Sequence, residues 1–158
     1  MNDYINVSNL QSNLTPKSFN ICINEHGEKI EDVLKAIDKV FQPLPVYKKF
    51  NAIYCYSLRE GTFSYPNGES NVLYIGSTAG ESNGGKRKMS FRFKHCMSGK
   101  DKKINECLKF YYSQGTKLML EIYDLPATKS GKECEKRLRT MFLQKFAAMP
   151  IADGASIK

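Results

Sequence analysis

Apolar residues along this chain fall into short period-two runs and longer stripes with the helical period, and the two signals alternate. Phe19-Asn20-Ile21-Cys22-Ile23 alternates as a strand and runs into the turn Asn24-Glu25-His26-Gly27. Over 28–41, Ile30, Val33, Leu34, Ile37, Val40 and Phe41 fall on one face of a helix, which Pro43 and Pro45 stop. Ala52-Ile53-Tyr54-Cys55-Tyr56 and Val72-Leu73-Tyr74-Ile75-Gly76 are two further strand-like runs, rich in β-branched and aromatic residues. Between them, Tyr65-Pro66-Asn67-Gly68-Glu69 carries an Asn-Gly pair, a hairpin signal because both residues tolerate positive φ. The connection from Ser57 to Asn71 is too long for a two-residue hairpin, so the strands extend into it or a loop projects from it.

After Gly76 a Gly- and Ser-rich loop leads to Lys86-Arg87-Lys88, which opens a helix reaching about Met97. Met89, Phe93 and Met97 recur every four residues and face the core, with Arg92 and Cys96 at its margin. A second helix spans Lys103 to Ser113, with Ile104, Cys107, Leu108 and Tyr111 inward and Gln114-Gly115 as its stop. Lys117 to Tyr123 alternates as a strand, Ala127 to Lys132 reads as a loop, and Glu133 to Ala148 forms the last helix around Leu138, Met141, Phe142 and Phe146. The order β, α, β, β, α, α, β, α predicts an α+β fold. A small central antiparallel or mixed sheet carries helices packed on it. Residues 1–45 supply an arm and a strand-helix extension within the same domain, and 46–158 the remainder.

Charge changes this picture most. The net charge of +8 points to a polyanionic partner. The cations cluster: Lys86, Arg87, Lys88, Arg92 and Lys94 lie around one helix, and Lys129, Lys132, Lys136, Arg137, Arg139 and Lys145 around another. No run approaches the roughly 18 apolar residues of a membrane span, and the N-terminus lacks a signal-peptide pattern, so the expected setting is cytoplasmic with no membrane contact. Five cysteines without a C-x-x-C pair read as reduced core thiols, and two histidines are too few for an ordinary zinc site. His26 beside Gly27 reads as a turn residue.

Ala52-Ile53-Tyr54 followed by Tyr74-Ile75-Gly76, then a helical Arg and a much later helical Glu, resembles the GIY-YIG nucleases over roughly Phe50 to Asp153. That resemblance implies a catalytic set of Tyr54, Tyr74, Arg92, His95 and Glu135. Tyr54 would orient or deprotonate the attacking water and Tyr74 support it, Arg92 would contact the scissile phosphate, and Glu135 would hold Mg²⁺ or Mn²⁺. Such a set is chemically sufficient, since magnesium takes few protein ligands and a guanidinium fork suits a phosphorane. Taken singly, each tyrosine is ordinary strand chemistry, and a Glu early in a helix is ordinary macrodipole chemistry. Arg87 competes with Arg92, and Glu133 with Glu135.

The chain departs from the family pattern at four points. Ala52 replaces a Gly, and His95 follows Arg92 by three residues where many members have four, leaving Lys88 and Lys94 as alternative helpers. Tyr54 and Tyr74 lie 20 positions apart, against about 10 in common members. No Asn occurs between Pro150 and Asp153. The resemblance implies a metal-dependent endonuclease for double-stranded DNA, restriction-type or phage-type, working as a homodimer or higher homo-oligomer from the cytoplasm of a bacterial or phage-infected cell. Lys86, Arg87, Lys88 and Lys94 would track the backbone. Two alternatives use the same charge: a nucleic-acid-binding module with a degenerate site, and a phage inhibitor aimed at an acidic protein.

Overall fold

Every residue of strand β2 (Ala52–Leu58) is buried, a pattern that requires cover on both faces of the sheet. The computed structural model describes residues 16–21, 30–45, 50–78, 88–90, 93–94, 102–126 and 128–152. Within them β2 lies inside a four-stranded sheet of order β1-β6-β2-β5, formed with β1 (Lys17–Ile21), β5 (Val72–Ser77) and β6 (Leu118–Asp124). All three pairings are antiparallel, so the sheet is not mixed. Three helices are described: α1 (Ile30–Val40), α2 (Lys102–Ser113) and α3 (Gly131–Phe146).

Period-two alternation divides the strands between two cores. On one face Ala52, Tyr54, Tyr56 and Leu58 join Phe19, Ile21, Leu118, Leu120 and Ile122. Val33, Leu34, Ile37 and Phe41 of α1 cover them, together with Met89, Phe93, Ile104 and Leu108. On the other face Ile53, Cys55, Val72 and Ile75 meet Cys134, Leu138, Phe142 and Phe146, the stripe that α3 presents at helical spacing. The result is an α+β arrangement in three layers. The N-terminal strand belongs to the same sheet, pairing from Lys17 with Ile122 to Ile21 with Leu118.

Several expectations are corrected. Val40 is 46% exposed, because it sits on the flank of the stripe set by Val33, Ile37 and Phe41. Met141, Cys107 and Tyr111 are only half-buried. The strand β1 begins at Lys17, and α3 begins at Gly131 because Ser130 is its N-cap and accepts from the Glu133 N–H at 3.3 Å. The 57–71 connection does not project. It holds a short hairpin, β3 (Phe63–Tyr65) and β4 (Gly68–Ser70), turned through Pro66 and Asn67. Of the Asn67-Gly68 pair, only Gly68 takes the positive φ, at 103°, where the Asn-Gly signal allowed it at both. Asn67 then bonds back to the end of α3, donating from N to the Phe146 carbonyl at 3.1 Å and from Nδ2 to the Lys145 carbonyl at 2.8 Å. Tyr65 meets Phe142 edge-on and Phe146 at a tilt, while Phe63 meets Tyr111 of α2.

The β2–β5 register slips between Tyr56 and Ser57, which pair with Tyr74 and Val72 and leave Leu73 as the extra residue. This bulge puts consecutive Leu73 and Tyr74 against the same core. It is why the run Val72-Leu73-Tyr74 does not alternate cleanly.

Candidate functional site

Antiparallel register brings the two tripeptides together. Tyr54 pairs with Gly76 and Tyr56 with Tyr74. The Tyr54 ring lies across Gly76: a Cβ there would stand 2.5 Å from Tyr54 Cζ and Oη and 2.7 Å from Tyr74 Cε1. Only glycine allows this closeness. The Tyr54 and Tyr74 ring centres are 6.1 Å apart, and Phe93 meets Tyr54 edge-on at 4.9 Å. Tyr54 is fully buried while Tyr74 is half-buried, so Tyr74 is the tyrosine of the pair that solvent reaches.

Ser77, next along β5, turns to the opposite face. Its hydroxyl donates to Glu135 Oε2 at 2.6 Å, and Arg139 Nη1 donates to Glu135 Oε1 at 3.3 Å. The Glu135 and Arg139 side chains are 19% and 23% exposed. They line a cleft of about 310 Å³ with Lys132, Lys136, Thr140, Leu143 and Met149. Glu133 lies on the exposed side of α3, engaged in its cap. Macrodipole chemistry therefore accounts for Glu133 and not for Glu135, which sits two residues further in and bonds to Ser77 of the sheet. The tyrosines and Glu135 lie on opposite faces of the sheet, against neighbouring residues of β5, Gly76 and Ser77.

Asn51 holds the start of α3 in place. Its Nδ2 donates to the Lys129 carbonyl at 2.6 Å and the Pro126 carbonyl at 3.2 Å, and its Oδ1 accepts from Gly131 N at 3.0 Å. Thr78 ties off the strand ends, donating to the Phe50 carbonyl at 2.7 Å and accepting from Ala52 N at 3.0 Å. Ser90 donates to Asp38 of α1 from both N and Oγ, at 3.3 and 2.7 Å, which caps that helical turn from a distant element.

Lys88 and Lys94 are exposed. Arg92, His95, Lys86 and Arg87 lie outside the described residues, as do His26, Cys22, Cys96 and Met97. Among the described residues no three His, Cys, Asp or Glu side chains gather as a metal cage. The donor set at Glu135, one carboxylate beside one hydroxyl and open to water, suits a hard cation that keeps its own waters, such as Mg²⁺ or Mn²⁺. It does not suit zinc. No described helix is long and apolar enough to cross a membrane. Neither a family model, nor a curated protein, nor a solved structure matches this chain.

Two site residues escaped the sequence. Ser77 gave no signal, since its partner lies 58 positions away; Asn51 likewise serves positions 75 to 80 away. The pairing of Glu135 with Arg139 was readable, because an i, i+4 acid-base pair on a helix is self-announcing.

Proposed function

We propose that the chain is a metal-dependent DNA endonuclease of GIY-YIG type, with Glu135 as the carboxylate for Mg²⁺ or Mn²⁺. One observation carries the reading: Glu135 accepts from Ser77 at the end of the edge strand β5, in a cleft lined by Lys132, Lys136 and Arg139, one residue from the glycine against which the tyrosine pair packs. In this reading Tyr74, the accessible phenol, orients the attacking water by hydrogen bonding. Tyr54 braces Tyr74 and anchors Phe93, the residue after Arg92. Arg92 supplies a guanidinium to the crowded phosphoryl charge, and His95 or Lys94 assists the leaving oxygen. A bound Mg²⁺ supplies charge stabilisation and a more acidic water. Lys88 and Lys94, with Lys132 and Lys136, bind backbone phosphates. Cutting both strands with one site per chain calls for a dimer.

Supercoiled plasmid and phage genomic DNA, incubated with magnesium, test this beside an EDTA control and the Glu135→Ala and Glu133→Ala variants. Metal-dependent cutting that Glu135→Ala abolishes and Glu133→Ala keeps is the expected result. A second reading, a nucleic-acid-binding module, draws on the full burial of Tyr54; retarded but uncut DNA under every condition selects it.

A further inference from the structure

We propose that Arg139 is a positioning residue that exchanges between Glu135 and a nucleic-acid phosphate, so that phosphate entering the cleft frees the carboxylate for a divalent cation. This rests on the reading of Glu135 as the metal's carboxylate. Both oxygens of Glu135 are engaged, but unequally. The Ser77 bond, at 2.6 Å, lies in the range of short charge-assisted O–H···O contacts, while the Arg139 bond, at 3.3 Å, is longer than the usual 2.7–2.9 Å of a charge-assisted N–H···O pair. The arginine contact is the one that yields. A partly exposed ion pair of this kind is weak, and a phosphate can outbid it by taking two guanidinium N–H groups at once.

The cleft is built to attract that phosphate. Lys132, Lys136 and Arg139 recur at i, i+4 and i+7 on α3, and all three line the same space around a single acid. Arg139 and a divalent cation compete for the charge of Glu135, because each is a cation drawn to the same two oxygens. Removing Arg139 from the carboxylate therefore raises its affinity for metal. By linkage the effect is reciprocal: phosphate and metal each strengthen the other's binding. A nuclease with this device keeps its metal site weak until DNA is seated.

The test uses the full chain, with Mn²⁺ titrated by electron paramagnetic resonance in the absence of DNA. Arg139→Gln should bind Mn²⁺ at least about fivefold more tightly than wild type, the lower end of ordinary coupling. Arg139→Lys, which keeps the charge, should fall between them, and Glu135→Gln should lose the site. A fluorescein-labelled short duplex is then titrated in EDTA by anisotropy. Glu135→Gln should bind it more tightly than wild type by releasing Arg139, and that gain should vanish in the Glu135→Gln/Arg139→Gln double variant. Equal Mn²⁺ affinity in wild type and Arg139→Gln, or a gain that survives in the double variant, overturns the exchange. Absence of Mn²⁺ binding in both proteins instead overturns Glu135 as a metal ligand, and the duplex cycle, run without metal, still decides whether Arg139 moves to phosphate.

Discussion

Gly76 has no room for a methyl group, since its place is taken by the Tyr54 and Tyr74 rings at 2.5 and 2.7 Å. Tyr54 is held from three sides by Tyr56, Tyr74 and Phe93 and cannot swing away. Gly76→Ala should thus destabilise the fold by about 1–3 kcal/mol, the usual cost of overpacking, read as a lower urea midpoint with an unchanged slope. Glu121 is the other residue whose chemistry is set by its surroundings. It is 2% exposed, its Oε1 has no hydrogen-bond partner among the described residues, and Oε2 accepts from Tyr123 at 3.3 Å. Burial raises its pKa, which the Tyr123 bond only partly offsets. A carboxyl raised in the folded state favours the proton-bound form. Its contribution is fullest below the unfolded-state value and is lost as pH rises through the folded one. Glu121→Gln should consequently unfold at higher urea than wild type at neutral pH, by on the order of 1 kcal/mol, and the gap should close as the pH falls below about 4.3. A gap that does not change with pH would mean that the carboxyl is not the cause. Neither residue's constraint was legible in sequence. The Tyr-Ile-Gly pattern pointed at Gly76, but the reason for glycine lies in a ring from another strand.

At the scale of elements, what the sequence carried was local periodicity. The stripes Val33-Leu34-Ile37-Phe41, Ile104-Leu108 and Leu138-Phe142-Phe146 are buried as their spacing requires. The start of α3 was also within reach, because Ser130 and Glu133 stand three apart as in a capping box, yet Gly131 and Lys132 read as loop. What local pattern does not encode is destination. The β3–β4 hairpin folds back to bridge the two layers of helices, and its Asn67 satisfies carbonyls at the end of α3, where Ala147 turns left-handed at φ 58°. Asn67→Ala keeps the backbone bond to Phe146 and loses the side-chain bond to Lys145. The melting midpoint should fall by an amount equivalent to about 0.5–1.5 kcal/mol, with the proposed cutting of DNA unaffected. A change in that cutting without a change in melting would give the hairpin a role at the DNA.

The whole molecule turns on whether its N-terminal third is an addition or part of the core. The stretch that resembles a nuclease begins near Phe50, and the sequence reads residues 1–45 as an extension within the same domain. The described part of that extension packs into the core. β1 closes one edge of the sheet against β6, and α1 lies over the same core that holds Tyr54 and Phe93. Asp38 of α1 also caps the helical turn at Ser90. Deleting 1–45 strips Phe19, Ile21, Val33, Leu34, Ile37 and Phe41 from that core and leaves Leu118, Leu120 and Ile122 with only part of their cover. At a lower figure of about 1.5 kcal/mol for each buried side chain, the loss is about 9 kcal/mol, against a total stability of about 5–15 kcal/mol for an ordinary domain. The 46–158 fragment should accordingly show no cooperative thermal transition by circular dichroism and should aggregate on expression. Adding back a 1–45 peptide in trans should restore a transition whose midpoint rises with peptide concentration, as linkage requires. A fragment that melts cooperatively alone would show instead that the sheet of β6, β2 and β5 carries its own core, and that β1 and α1 serve the helical turn at Ser90 and not the fold.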